Sequence, residues 1–241
     1  MLLFYIRHGE PIYDPDSLTP LGEAQAEAIK NRLGMFGLDK IYASSSNRAY
    51  CTAKPTADLL NKEITVLDWC HEKYVGEEFS IPWKDGRHFW AHFEPATKEF
   101  LVSEEVRILG KKWYEHPRFK GTSFETGAKR VQQETDAFMH SLGYRHLHDK
   151  NGYEAVSPNE DRVALFAHEG FGMVFLSALL DIPYPEFATR FAFSHTGMCV
   201  IHFENSEKLV IPRLLQHSND SHLYAEHLPL TYKTYPQDVC I

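Results

Sequence analysis

Two histidines and two arginines of this sequence each follow a short apolar stretch, directly or within a few residues. They are Arg7, His8, Arg48 and His168. Guanidinium groups bind a phosphate dianion through paired N–H donors, and a neutral imidazole can attack its phosphorus atom. If the apolar stretches are strands of one parallel sheet, their carboxyl ends meet at the same edge and the four side chains converge. The sequence therefore predicts a site for a phosphate group.

Each of the four side chains has a candidate role in phosphoryl transfer. His8 is the candidate nucleophile, which would hold the phosphoryl group as a phosphohistidine before water removes it. Arg7 and Arg48 would neutralise the phosphate oxygens, and His168 would donate to the phosphate from the opposite side. The alternative for each histidine is a structural residue bonded to a carbonyl, and for each arginine an ordinary salt bridge.

Four motifs connect this sequence to a known family. They are Arg7-His8-Gly9-Glu10, the stretch 18–26 (LTPLGEAQA), Ser44-Ser45 with Arg48-Ala49 and Thr52-Ala53, and the strand that ends at His168. With these motifs the chain resembles the histidine phosphatase superfamily, also called the phosphoglycerate mutase-like family. The matching motifs lie in the first and last thirds of the chain, and the middle is not matched. The resemblance implies a phosphohistidine on His8.

Glu72 is the candidate general acid. The departing alkoxide of a phosphate ester needs a proton, and the resemblance implies a glutamate after the third strand, which we expect over 64–67. Glu10, Glu77 and Glu78 are close alternatives, and a solvated glutamate is the ordinary case at a surface.

The sequence departs from the family pattern at two positions. Glu169 follows His168, where the family usually has glycine. Because a carboxylate is unfavourable beside a phosphate, we expect Glu169 to point away or to tune the choice of substrate. Asp14 stands where mutase-like relatives often carry asparagine, and its effect on phosphate binding is left open.

The elements that must position these groups are those of an α/β protein. Apolar runs without polar alternation predict strands that are covered on both faces. Thr19 and Pro20 predict the start of a helix, and Pro55 is expected to kink the helix after Arg48 or to divide it in two. The expected fold class is a three-layer αβα sandwich with a mostly parallel central sheet and an inserted cap region.

The domain organisation is expected to be simple. We predict a single domain over 1–241 with the cap at about 73–121, where the sequence becomes rich in aromatic residues. The ordinary role for these aromatics is a small satellite core, although some could face the substrate. The stretch 144–161 is expected to be a flexible polar loop. The runs 198–203 and 209–215 are expected to close the sheet as an antiparallel hairpin.

Composition limits the partners. The 25 basic and 33 acidic residues give a net charge of −8, which argues against nucleic acid held on a broad basic surface. The sequence shows no secretory signal and no uninterrupted membrane span, so we expect a cytoplasmic protein with no membrane partner. The four cysteines form no CxxC pair and are expected to be free thiols. The expected partner is a small phosphorylated metabolite, no cofactor is implied, and a homodimer is compatible with the sequence.

Three other functions must be weighed against a phosphatase. A phosphoglycerate-type mutase would need extra arginines from the cap, which offers only the scattered Arg87, Arg107 and Arg118. A silent phosphate-binding module could have kept the pocket and lost turnover. A metal hydrolase could use His88 and His92 at helical spacing, but the sequence has no complete zincin motif. We therefore predict a phosphomonoesterase with no metal site.

Overall fold

The computed structural model describes residues 1–83, 86 and 88–230. Its strands are β1 (Leu2–Arg7), β2 (Pro11–Tyr13), β3 (Asp16–Leu18), β4 (Lys40–Ser44), β5 (Ile64–Leu67), β6 (Ser80–Pro82), β7 (His88–Trp90), β8 (Tyr144–Leu147), β9 (Gly152–Ala155), β10 (Arg162–Ala167), β11 (Met198–His202) and β12 (Arg213–Asn219). Its α-helices are α1 (Pro20–Phe36), α2 (Asn47–Leu60), α3 (Glu72–Glu78), α4 (Pro95–Leu101), α5 (Glu104–Arg107), α6 (Phe124–Ser141), α7 (Glu169–Leu179), α8 (Tyr184–Ala188) and α9 (Ser221–Ala225). Short 3-10 turns lie at Asp68–Cys70, Gly110–Glu115 and Pro117–Phe119.

A six-stranded sheet in the order β12-β11-β1-β10-β4-β5 organises the chain. The strands β1, β10, β4 and β5 are parallel to one another, whereas β11 runs antiparallel to β1 and β12 antiparallel to β11. The carboxyl ends of the four parallel strands therefore lie at one edge, where ligands of such sheets bind. The antiparallel closing pair confirms the hairpin expected there, although its second strand begins later in the chain.

The two faces of the sheet are covered by different helices. On β1, Phe4 and Ile6 belong to a buried cluster with residues of α1 and α2, while Leu3 and Tyr5 belong to a second cluster with residues of α6 and α7. All four side chains are fully buried. A strand buried on both faces needs apolar residues at every position, which is why β1 shows no polar alternation. The predicted fold class, a three-layer arrangement around a mostly parallel sheet, is confirmed.

Two glycines in close contact hold the segment that follows β1 against α1. A Cβ atom on Gly9 would lie 2.6 Å from the carbonyl oxygen of Gly22, and a Cβ atom on Gly22 would lie 2.2 Å from that of Glu10. Helix α1 begins at its N-cap Thr19, as predicted, and the Thr19 hydroxyl accepts the Gly22 N–H. Only glycine allows the two backbones to approach this closely.

Side chains from the two helices on this face complete the support. The Gly9 N–H donates to the Thr52 hydroxyl at 2.9 Å, and the Glu10 N–H donates to the Gln25 side-chain oxygen at 2.8 Å. Both Gln25 and Thr52 are fully buried. The motifs on α1 and α2 therefore fix the backbone that follows His8.

The described part of the 73–121 stretch packs onto the main core. Its aromatics Phe79, Trp113 and Phe119 belong to the same buried cluster as residues of α6 and α7, so they do not form the separate small core that we expected. The rings that meet there are those of Phe79, Trp113, Phe119, Phe124 and Tyr184. The description of this stretch as an inserted cap of a single domain stays a prediction.

Two local expectations are wrong, and a third is wrong in part. Helix α2 runs unbroken through Pro55 from Asn47 to Leu60, so the helix is not divided in two, while the kink that was the alternative stays a prediction. The stretch 144–161 contains the paired strands β8 and β9 and is not a structureless loop. His88 lies on strand β7 and the fully buried His92 follows it, with its Nδ1 2.7 Å from the Tyr184 hydroxyl. The helical ligand spacing assumed for this pair therefore does not exist.

Within the described ranges, no helix has the length and apolar character required to cross a bilayer. Cys51, Cys70 and Cys199 are free thiols, and Cys240 lies outside the described residues.

The close contact between Gly9 and Gly22 predicts an unusual sensitivity to a single methyl group. We expect Gly22→Ala to lower the free energy of unfolding by about 3 kcal/mol, because the atoms it strikes are backbone and cannot turn away. Gly34→Ala, on the same helix, is the matched control. Its Cβ would meet only the half-exposed Leu59 side chain, so its effect should stay below about 1 kcal/mol. Urea unfolding of both variants measures the difference, and equal effects would contradict the packing described here.

Candidate functional site

His8 sits at the carboxyl end of β1 with one ring nitrogen engaged. Its backbone N–H donates to the Ala167 carbonyl at 2.9 Å, which joins it to β10. Its Nδ1 lies 2.7 Å from the Gly9 carbonyl oxygen. A carbonyl only accepts, so Nδ1 must carry the proton, and in the neutral ring Nε2 keeps its lone pair. The side chain therefore presents Nε2 as a base or a nucleophile.

The surroundings of His8 favour its neutral form. The residue is 3% exposed. Burial holds the pKa of His8 well below the ordinary value of 6.5, and the positive charges of Arg7 and Arg48 lower it further. The Nε2 lone pair is consequently available at neutral pH.

Each of the two predicted arginines is held by one carboxylate. An NH1 atom of Arg7 lies 2.8 Å from Glu169 Oε2, and NH1 of Arg48 lies 2.8 Å from Asp16 Oδ1. The Nε atoms of both arginines are buried without a hydrogen-bond partner among the described residues. Buried donors of this kind favour an anionic ligand.

For Glu169, one of the two expected outcomes is wrong, and its effect on the choice of substrate stays a prediction. Glu169 does not point away from the site, because it forms the ion pair with Arg7 and also accepts the Phe193 N–H at 3.3 Å. Asp14 is exposed, whereas Asp16, two residues further on, reaches Arg48. Sequence reasoning missed Asp16, which begins β3, because no residue spacing connects it to Arg48.

His168 lies at the carboxyl end of β10 and is fully buried. Its Nδ1 is 3.2 Å from NH2 of Arg48, and its Nε2 is 2.8 Å from the Ser44 hydroxyl. Because Arg48 can only donate, Nδ1 must be the accepting nitrogen and Nε2 must carry the proton. Burial and the nearby positive charges, of which Arg48 is one, hold the pKa of His168 well below its ordinary value.

Glu72, in the first turn of α3, lies beside His168. Its Oε1 accepts the Gly170 N–H at 2.8 Å, and its Oε2 lies 3.2 Å from His168 Nδ1. Of the alternatives, Glu78 is paired with Arg130. Glu72 is thus brought beside the site.

Trp90 lies near this carboxyl group. A Cβ atom on Gly170 would lie 2.3 Å from the Trp90 ring and 2.5 Å from Glu72 Oε1. The ring and the carboxyl oxygen must therefore lie within about 5 Å of each other. An aromatic residue from the 73–121 stretch consequently reaches the site, as sequence analysis allowed for some of these aromatics.

Several other polar residues lie around the site, and sequence reasoning did not assign them to it. The rings of His8 and His195 have centroids 5.9 Å apart, and those of His71 and His168 are 6.0 Å apart. Ser44 belongs to one of the sequence motifs but had no role assigned to it, although its hydroxyl lies 2.8 Å from His168 Nε2. Histidine at these positions carries no motif that would have distinguished it among the 14 histidines of the chain.

The two described arginines of the 73–121 stretch contact other groups. Arg107 lies 3.6 Å from Glu186, and the Arg118 guanidinium stacks on the Phe100 ring at 4.2 Å. Arg87 lies outside the described residues. Neither described arginine offers the second anion grip that a mutase would need.

Comparisons with known proteins agree with this arrangement. The model of the histidine phosphatase superfamily (branch 1) matches residues 3–213. A candidate phosphoserine phosphatase 2 of Hydrogenobacter thermophilus is 30% identical over 141 residues, which cover 54% of this chain and 63% of that protein. The chain thus spans less than two thirds of this relative's length.

Solved structures share the fold. A mycobacterial glucosyl-3-phosphoglycerate phosphatase in complex with inorganic phosphate superposes with a TM-score of 0.59 at 19% identity, covering 92% of this chain and 98% of that one. A phosphoserine phosphatase mutant of Entamoeba histolytica in complex with phosphoserine gives 0.58 at 18% identity, with the same coverage.

The environment of His8 predicts its titration. In a histidine NMR titration of the folded protein, the His8 resonance, assigned by its loss in His8→Ala, should titrate well below pH 6.5. In urea it should return to about 6.5. Below that pH the unfolded chain binds more protons than the folded one, so the protein should lose stability as the pH falls from about 6.5 towards the folded pKa. A folded pKa at or above 6.5 would contradict the buried, arginine-flanked environment.

Proposed function

The chain belongs to the histidine phosphatase superfamily, and from that premise we propose that it hydrolyses a small phosphomonoester through a phosphohistidine on His8. The observation that carries the proposal is the tautomer of His8. Its Nδ1–H is bonded to the Gly9 carbonyl, so Nε2 is unprotonated between two buried guanidinium groups. A nucleophile beside two cationic anion-binding groups is what phosphoryl transfer requires.

In the first step His8 Nε2 attacks phosphorus, and the bond from phosphorus to the ester oxygen breaks. Arg7 and Arg48 bind the phosphate oxygens through N–H groups, including the Nε donors that have no other partner. Water then attacks the phosphohistidine, and inorganic phosphate leaves with His8 restored. Both steps rely on side chains that the chain itself supplies, and we propose that no metal takes part in them.

Glu72 is proposed as the acid that protonates the leaving oxygen. Its Oε2 lies 3.2 Å from His168 Nδ1, and that nitrogen is already the accepting one because Arg48 donates to it. The Nδ1 lone pair therefore accepts from Arg48, and Glu72 Oε2, which has no hydrogen-bond partner among the described residues, is available to carry the proton that the leaving oxygen needs. In the second step the resulting carboxylate would take the proton of the attacking water.

His168 can donate to the phosphate only after a change in its hydrogen bonds. In this arrangement its Nε2–H points to Ser44. When Arg48 turns its N–H groups to the phosphate, Ser44 can donate to Nε2 and the ring proton can move to Nδ1. Ser44 is therefore proposed as a positioning residue for His168, and the Ser46 hydroxyl, 3.3 Å from the same nitrogen, would assist it.

The substrate is proposed to be a small phosphorylated metabolite. The names of the similar proteins refer to phosphoserine and to glucosyl-3-phosphoglycerate, both of which combine a phosphate ester with a carboxylate. The cytoplasm, where such compounds occur, is the proposed location.

Hydrolysis of an alkyl and an aryl phosphate by the purified protein tests this assignment. The need for an acid grows as the leaving group becomes poorer. Glu72→Gln should therefore slow the alkyl ester by roughly 10² to 10⁴ and leave the aryl ester almost unaffected. His8→Ala should abolish both reactions.

Other results with these two variants would point to other roles for Glu72 and His8. A uniform loss with Glu72→Gln would assign Glu72 to binding or folding, and no loss would place the acid elsewhere, for example at Glu77. Near-normal rates in His8→Ala would exclude the proposed nucleophile. No hydrolysis of either ester by the unmodified protein would favour a silent phosphate-binding module.

A further inference from the structure

A second cluster of functional groups lies away from the phosphate site. A cavity of about 430 Å³ opens between α6, the turn after β8, the 3-10 turn Gly110–Glu115 and the residues that follow α7. Asp136, His148 and Asp181 contribute to its wall. The phosphoryl-transfer scheme uses none of these side chains.

Asp136 stands between two imidazoles. Its Oδ1 lies 2.8 Å from His146 Nδ1, and its Oδ2 lies 2.8 Å from His148 Nε2. One ligand atom from each of the three residues lies within 4.8 Å of the other two. Around a tetrahedral zinc ion with bonds of about 2.0 Å, ligand atoms are roughly 3.3 Å apart. The His148 side chain is 55% exposed and lies in a turn, so no tight packing holds its ring in the present position.

A second carboxylate orients the buried ligand. His146 Nε2 lies 3.0 Å from Asp181 Oδ2, and the His146 side chain is 1% exposed. A carboxylate that holds the Nε2–H leaves Nδ1 to face a metal, as behind metal-bound histidines in general. Gln132 in turn donates to Asp136 Oδ1 at 2.9 Å, and Lys111 forms an ion pair with Asp181. Hydrogen bonds and an ion pair therefore hold the side chains of the proposed metal ligands in place.

We propose that Asp136, His146 and His148 bind one divalent transition-metal ion of the zinc class, with the fourth coordination position open to the cavity. Two imidazoles and one carboxylate suit Zn²⁺, whereas Mg²⁺ and Ca²⁺ prefer sets made only of oxygen. The ion takes the place of the proton that His146 otherwise shares with Asp136. The competing arrangement is a protonated His146 held by ion pairs to Asp136 and Asp181.

Because the cluster lies away from the phosphate site, we expect the metal ion to have a structural role and to take no part in phosphoryl transfer. Helix α7 has 11 residues and is therefore about 16 Å long. His168 precedes its first residue, while Asp181 follows its last. The metal would join the β8–β9 hairpin to α6 at the far end of α7. It should stabilise the fold and leave phosphate hydrolysis unaffected.

The test is a titration of the full chain with Zn²⁺ after treatment with a chelator, followed by calorimetry and by thermal unfolding. His148→Ala removes one ligand from an exposed turn, and His140→Ala, an exposed histidine on α6, is the matched control. We expect one Zn²⁺ per chain at this cluster and a higher melting temperature with the metal. His148→Ala should weaken that binding at least tenfold and remove the thermal shift, whereas His140→Ala should retain both.

Histidines near the phosphate site could also take up zinc, so the comparison between variants decides. Co²⁺ in place of Zn²⁺ should give visible absorption bands of a four-coordinate site, and His148→Ala should lose them. Zinc binding that is absent, or equally strong in His148→Ala, would overturn the proposal and leave the ion-paired His146. Phosphate hydrolysis is measured in a separate experiment. Either result of the zinc titration therefore leaves the phosphatase assignment unaffected.

Discussion

Two buried guanidinium groups beside one buried imidazole impose the electrostatic constraint on which the site depends. A buried charge is costly unless it is paired and hydrogen-bonded. Arg7 is paired with Glu169, and Arg48 with Asp16, so each arginine is balanced by one carboxylate. The two positive charges, together with burial, in turn keep His8 neutral. Stability and reactivity therefore arise from the same set of charges.

This charge arrangement requires an exact backbone path, which the surrounding glycines and polar side chains provide. The contact between Gly9 and Gly22 brings α1 directly against the segment after β1. Gln25 and Thr52 then satisfy the backbone donors of that segment. Sequence positions that carry no chemistry themselves thus determine where the His8 ring and its Gly9 carbonyl lie.

Much of this arrangement could be predicted from sequence because it depends on local patterns. Continuous apolar runs identified the buried parallel strands, and parallel strands deliver Arg7, His8 and His168 to one edge by topology alone. Contacts between distant segments could not be predicted. The pairing of Arg48 with Asp16 and the approach of Trp90 to Glu72 depend on how loops cross the sheet edge, which no residue spacing encodes. The hairpin of β8 and β9 was missed because each strand has only four residues and neither contains a continuous apolar run.

The central claim is that the phosphoryl group is transferred from the substrate to His8 Nε2, where it forms a covalent intermediate. Rapid-quench reaction with a substrate labelled in its phosphate, followed by peptide mapping, tests this claim most directly. The account predicts a transient adduct on the peptide that contains His8, stable to alkali and labile to acid as a phosphoramidate is. An adduct on another residue would contradict it. Turnover with no adduct, under conditions in which a phosphohistidine would accumulate because its hydrolysis is the slow step, would also contradict it.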